Sequence, residues 1–147
     1  MDIRKADLLG TITGLTILTT SILIFIFRLL GYSKAEYWAG ILFILSSLPI
    51  LFLLFKACEF QRPTIYFVQL GVMFAFILAE LFLDYIFKVD FRHTRWMVIS
   101  YATLFFAATG GMIGIVSQSG KGYSIIAVIL FFVMTFLAFF QRFKTGM

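Results

Sequence analysis

Charged residues divide the chain into five long stretches that carry no charge: 8–27, 37–55, 63–79, 96–120 and 122–141. Each is about 17 to 25 residues long, which at 1.5 Å per residue suits a helix crossing the hydrocarbon core of a bilayer. Apolar residues fill these runs without the alternation that a membrane barrel strand needs. A lone apolar strand would also carry unpaired amides into lipid, whereas a helix closes its own hydrogen bonds. The pattern predicts an all-α integral membrane protein, a bundle of five transmembrane helices with short loops. The spans are expected at about 8–30, 37–57, 64–87, 96–117 and 122–141, in one transmembrane domain covering 1–147.

The gaps between runs are too short for a soluble domain, so consecutive helices are expected to be antiparallel neighbours. Pro49 lies midway along the second run and removes one backbone donor, which predicts a kink there. The first run follows Arg4 and Lys5 in the manner of a signal peptide. It is too long for a signal core, however, and Arg28 to Tyr32 offers no small-residue cleavage site, so it is expected to be retained as a span.

Composition agrees with the patterning. Hydrophobic residues make up 62% of the chain and charged ones 13%, against about a quarter charged in a soluble domain. That much apolar surface requires lipid as solvent, and membrane lipid is the first expected partner.

The net charge of +5 would suggest nucleic acid if the basic residues formed a patch. They sit instead in the gaps between runs, as at the edges of membrane spans, and a nucleic-acid partner is rejected. Arg4, Lys5, Lys56, Arg62 and Lys121 fall on one side, and Arg28, Lys34, Lys88, Arg92, Arg95, Arg142 and Lys144 on the other. The bias favours a cytoplasmic C-terminus, in a prokaryotic cytoplasmic membrane. Tyr37, Trp38, Tyr66, Trp96, Tyr101 and Tyr123 lie near run ends, where amphipathic rings sit at headgroup level.

Cys58 and His93 are the only cysteine and histidine. An intrachain disulfide and a metal site built from several such ligands are therefore excluded, and no cofactor or metal is expected. Ser119-Gly120-Lys121-Gly122 resembles the end of a phosphate loop, but the leading glycine is misplaced and Gly122 stands where Ser or Thr is needed. Ser117 and Ser119 lack a nucleophile elbow, and His93 falls on a loop across the membrane from them. The chain is not expected to be an enzyme.

Two constellations remain. In the fourth span Ser100, Thr103, Ala107, Gly110, Gly114 and Ser117 recur at steps of three and four, a small-residue stripe along one helix face. Lipid gives helices no hydrophobic reason to associate, so close approach over small residues is a main route to packing, within a subunit or between subunits. Gly10, Thr13, Gly14, Thr16 and Thr20 form a shorter version in the first span.

In the third span Gln69, Met73, Glu80 and Asp84 share a face, and Lys88 continues the line. A carboxylate at membrane depth costs a few kcal/mol, about 3 on insertion scales, and so faces the bundle interior or a wet cavity. One reading is a proton or ion pathway with Glu80 as the titrating group. The other is a local ion-pair network joining Glu80 and Asp84 to Lys88, Arg92 or Arg95. His93, in the same connection, reads as a solvated loop residue.

In size, span number and aromatic content the chain resembles the tryptophan-rich sensory and translocator proteins, which bind porphyrins and sterols. With only Trp38 and Trp96, and without that family's proline- and tryptophan-rich loop, the resemblance is one of layout. The leading expectation is a non-enzymatic helix-packing protein, a homo-oligomer or a subunit of a membrane complex. The alternative is a small channel or carrier for protons, cations or small solutes that uses the acidic face of Glu80 and Asp84.

Overall fold

A computed structural model describes residues 3–86 and 95–145. Six α-helices follow in chain order: α1 (Ile3–Leu30), α2 (Ser33–Leu45), α3 (Ser47–Glu59), α4 (Thr64–Glu80), α5 (Arg95–Ser117) and α6 (Lys121–Thr145). A π-helical turn, Leu81–Ile86, continues α4. No strand occurs among the described residues. Five segments are long and apolar enough to cross a membrane: Ile3–Leu30, Ser33–Glu59, Thr64–Leu83, Arg95–Ser117 and Lys121–Lys144.

The helices overrun the uncharged stretches because charged residues are tolerated at helix ends. Arg28 closes α1, and Arg142 and Lys144 close α6, where a cation meets the negative end of the helix dipole. The second long segment is interrupted at Ser46, three residues before Pro49. Proline cannot donate to Leu45, and the bond from the Ile50 amide to the Ser46 carbonyl is long at 3.4 Å. The Ser46 hydroxyl donates back to the Leu42 carbonyl at 3.2 Å, which also accepts the Ser46 amide.

α1 is the central element, packing against α2, α3, α5 and α6. Its composition suits that place: Gly10, Thr13, Gly14, Thr20 and Ser21 are small and buried. Buried hydroxyls need partners, and those of Thr13 and Ser21 find the carbonyl four residues back at 2.8–2.9 Å.

Gly10 and Gly14 are where α1 meets α5. A Cβ at Gly14 would lie 2.6 Å from Val116 Cγ2, and one at Gly10 would lie 3.0 Å from Ile115 Cγ2. At Gly14 the neighbouring side chain occupies the space of a methyl group, and at Gly10 it leaves only a tight fit for one.

The far half of the bundle is filled by rings. Phe25, Phe43, Phe76 and Phe105 pack edge to face or tilted, with centroids 5.3–5.9 Å apart. α6 is peripheral and buries only Ala127, Met134 and Gln141 among its described residues, one line of contact at steps of seven. Its outer face carries Phe132, Phe136 and Phe143, exposed at 66%, 68% and 88%.

The end of the bundle holding the N-terminus is tied by a polar knot. The α3–α4 connection contains a left-handed residue, Gln61 (φ 51°), and the Arg62 amide bonds back to the Ala57 carbonyl at 3.1 Å. This reversal delivers the Arg62 guanidinium to the Asp7 carboxylate and over the Tyr66 ring, 4.7 Å from its centroid. Ser119, in the α5–α6 connection, donates to the Asp7 carbonyl at 2.8 Å and accepts a bond from Thr11.

Candidate functional site

Glu80 ends α4 immediately before the π-helical turn, and its carboxylate accepts a hydrogen bond from the Tyr101 hydroxyl of α5. Both residues line a partly open cavity of about 180 Å³ between α1, α2, α4, α5 and α6. An engineered apolar cavity of about 150 Å³ admits benzene, so this space suits a molecule the size of one aromatic ring.

Its walls are largely aromatic. Phe76 sits beside Tyr101 (5.3 Å, 53°) and Phe105 (5.3 Å, 58°), while Phe25 meets Phe105 at 87° and Phe43 meets Phe76 at 89°. The polar lining comes from Ser21, Arg28, Glu80, Tyr101, Gln141 and Arg142. Arg28 is paired with Glu36 of α2, Nε to Oε1 2.7 Å, and Arg142 is exposed in the last turn of α6.

α4 therefore turns Gln69, Met73 and Glu80 toward the bundle. Gln69 packs on α5 at Gly111 and Gly114: a Cβ at Gly111 would meet Gln69 Cβ and Cγ at 3.5 Å, and one at Gly114 would collide with the Gln69 amide. Between Gln69 and Glu80, Met73 and Phe76 are buried at 0% and 1% exposure. The two polar residues of this face are thus separated by packed apolar side chains.

Asp84 falls within the π-helical turn, whose wider winding shifts residues beyond Glu80 out of α-helical register. The Asp84 side chain, Lys88, Arg92 and His93 lie outside the described residues. Arg95 opens α5 and is exposed.

The small-residue stripe of α5 divides. Ser100, Thr103, Ala107 and Ser117 are exposed, and Gly110 has nothing within 4 Å of a notional Cβ. Only Gly114 packs inside the chain. The buried face of α5 is Phe105, Ala108, Thr109, Met112, Ile115 and Val116.

The hydropathy pattern does not single out Tyr101, Gln141, Arg28 or Arg142 as chamber residues. It places Tyr101 and Tyr66 at headgroup level, whereas the structure buries Tyr66 at 3% exposure and pairs Tyr101 with Glu80. Tyrosine serves inside a bundle wherever its hydroxyl has a partner. Gln141 carries a usable signal: a polar side chain two turns beyond Met134 on the buried line of α6.

No protein-family model, curated protein or solved structure matches this chain.

Proposed function

We propose that the chain lies in a lipid bilayer and acts without catalysis, by helix packing, as a homo-oligomer or a subunit of a membrane complex. Its bilayer placement is supported by the five long apolar helices and by an exterior richer in large apolar side chains than water tolerates. In the sequence, the basic bias toward the side of Arg28, Lys34, Lys88, Arg92, Arg95, Arg142 and Lys144, seven against five, supports a cytoplasmic C-terminus.

One contrast carries the packing role. The outer face of α6 presents Ile129, Phe132 and Phe136, as suits acyl chains, whereas α5, beyond Trp96, Met97 and Ile99 in its first turns, exposes the small residues Ser100, Thr103, Ala107 and Ser117. Small side chains there permit close approach by another helix, and the Thr103 and Ser117 hydroxyls are already satisfied by the Ile99 and Gly114 carbonyls.

The test is oxidative cross-linking in native membranes with Thr103→Cys or Ala107→Cys, each in a Cys58→Ser background, and Phe132→Cys as the lipid-facing control. The α5 positions are expected to give several-fold more adduct than the control. A band of twice the chain mass identifies self-association, and a heavier mixed band identifies another subunit. Adduct at no more than the control level from both α5 positions would sink the reading.

A channel or carrier along Gln69, Glu80 and Asp84 is supported by the presence of Glu80 in the chamber, but opposed by Met73 and Phe76 filling the interval. Proteoliposome flux that is abolished by Glu80→Gln would favour it.

A further inference from the structure

We propose that the carboxamide of Gln69 pairs with that of a second copy of this chain, joining two α4–α5 faces about a two-fold axis along the membrane normal. This pairing rests on the packing role proposed above for α5, and identifies the partner as the chain itself.

Gln69 springs from the side of α4 that meets α5. Its Cβ and Cγ lie 3.5 Å from where a Cβ would stand on Gly111. Its amide group fills the place of a Cβ on Gly114, with Cδ 2.9 Å and Oε1 3.1 Å from that point. Gly114 shares a helix face with Thr103, Ala107, Gly110 and Ser117, on the side of α5 opposite the buried Phe105, Met112 and Val116. The absence of a side chain at Gly114 therefore brings the Gln69 amide out among the small residues of the outer face of α5.

Neither the nitrogen nor the oxygen of that amide has a hydrogen-bond partner among the described residues. The Gly114 carbonyl accepts the Ser117 hydroxyl instead, at 2.6 Å. Headgroups are out of reach. Arg62 and Ser119 belong to the knot that closes this end of the bundle, and Gln69 and Gly114 lie seven and five residues further in, about 7 to 10 Å along their helices. An acyl chain offers neither donor nor acceptor, so an amide facing lipid at that depth stays unpaired at a large cost. A side-chain hydrogen bond across helices removes that cost, and such bonds hold membrane helices together.

A carboxamide carries donors and an acceptor and is its own complement. Two of them set head to head across a two-fold axis exchange two N–H···O bonds. An axis along the membrane normal keeps both copies in one orientation and brings both Gln69 side chains to the same depth. The approach is open, because Gly110, one turn along the same face, has nothing within 4 Å of a notional Cβ.

Energy transfer between dye-labelled copies, in liposomes that hold no other protein, tests the pairing. Cys58, exposed and the only cysteine, is the labelling point. The wild type is expected to associate and to dissociate as the lipid-to-protein ratio is raised. Gln69→Met keeps the length of the side chain and loses the amide, and is expected to weaken association about tenfold. A mixed pair of wild type and Gln69→Met should be as weak as two variant chains, since one missing amide removes both bonds. Should Gln69→Met not fold, Gly114→Ala displaces the amide with Gln69 intact, and is expected to weaken association in the same way.

Transfer no greater than that of randomly dispersed chains would overturn self-pairing; a heavier mixed band from Thr103→Cys in native membranes would then leave the packing role standing with a different subunit. Association that the folded variants leave unchanged would also overturn it, with the small residues alone holding the dimer. A mixed pair of intermediate strength would mean that each amide finds a separate acceptor, and would overturn the reciprocal bond.

Discussion

Replacing Asp7 by alanine is expected to destabilise the fold by about 3 kcal/mol, near the lower end of the cost of stripping one partner from a buried ion pair. The side chain of Arg62 is only 8% exposed and that of Asp7 is 20% exposed, so the guanidinium left behind is buried and the lost carboxylate was partly wetted. Arg62 Nε has no hydrogen-bond partner among the described residues, which leaves the Asp7 carboxylate and the Tyr66 ring as the contacts that compensate the charge. Asp7→Asn keeps the shape and removes the charge, and is expected to lose nearly as much. Arg62→Met in the Asp7→Ala background removes the stranded cation and should restore at least half of the loss, because apolar replacement of both partners is often neutral. Unfolding in mixed micelles by titration with dodecyl sulfate, followed by circular dichroism, measures all three. A loss below about 0.5 kcal/mol for Asp7→Ala, within the range of unremarkable surface substitutions, would mean that the knot joins the helix ends without stabilising them.

That ion pair also marks where local sequence patterns stop being informative. The five apolar segments are legible because a helix in lipid depends on length and continuous hydrophobicity, and both are local properties of sequence. The helix break near Pro49 is legible for a similar reason, since the missing donor is a property of one residue. Asp7 and Arg62 are 55 positions apart and meet because Gln61 takes a left-handed conformation, which no local pattern announces. The acidic face of α4 presupposes an unbroken α-helix, and the π-helical turn after Glu80 alters its register.

The chamber shows a further limit. Glu80 stands out as a carboxylate in an apolar run, but its surroundings come from five helices, and a single stripe records only which residues share a face. Ser100 through Ser117 is a real stripe on α5, yet periodicity alone does not say whether it faces inward or outward. Burial decides that Phe105, Met112 and Val116 take the interior and that the small residues, Gly114 excepted, do not pack there.

From this follows a sharp difference between glycines that look alike in the sequence. Gly14→Ala is expected to cost about 1–3 kcal/mol, the usual range for overpacking a tight interior. The new methyl would sit 2.6 Å from Val116 Cγ2 and 3.4 Å from Met112 Cε, and the stiff, branched valine has few rotamers to retreat into. Gly14→Leu should prevent α1 and α5 from meeting and leave no monodisperse protein. Gly114→Ala should be milder, because the colliding group is the amide end of Gln69, which can rotate aside. Gly110→Leu has open space around the new Cβ, and helix propensity favours leucine over glycine by roughly 0.5–1 kcal/mol, so the isolated chain should be unharmed or slightly more stable. The same substitution places a large side chain on the outer face of α5, where it would hold an approaching helix away. Gly110→Leu is therefore expected to spare stability in micelles while lowering the cross-linking yield of Thr103→Cys several-fold. If stability and cross-linking both survive, the outer face of α5 meets only lipid. If Gly110→Leu unfolds the chain while Gly14→Ala does not, the assignment of inner and outer faces to α5 is reversed.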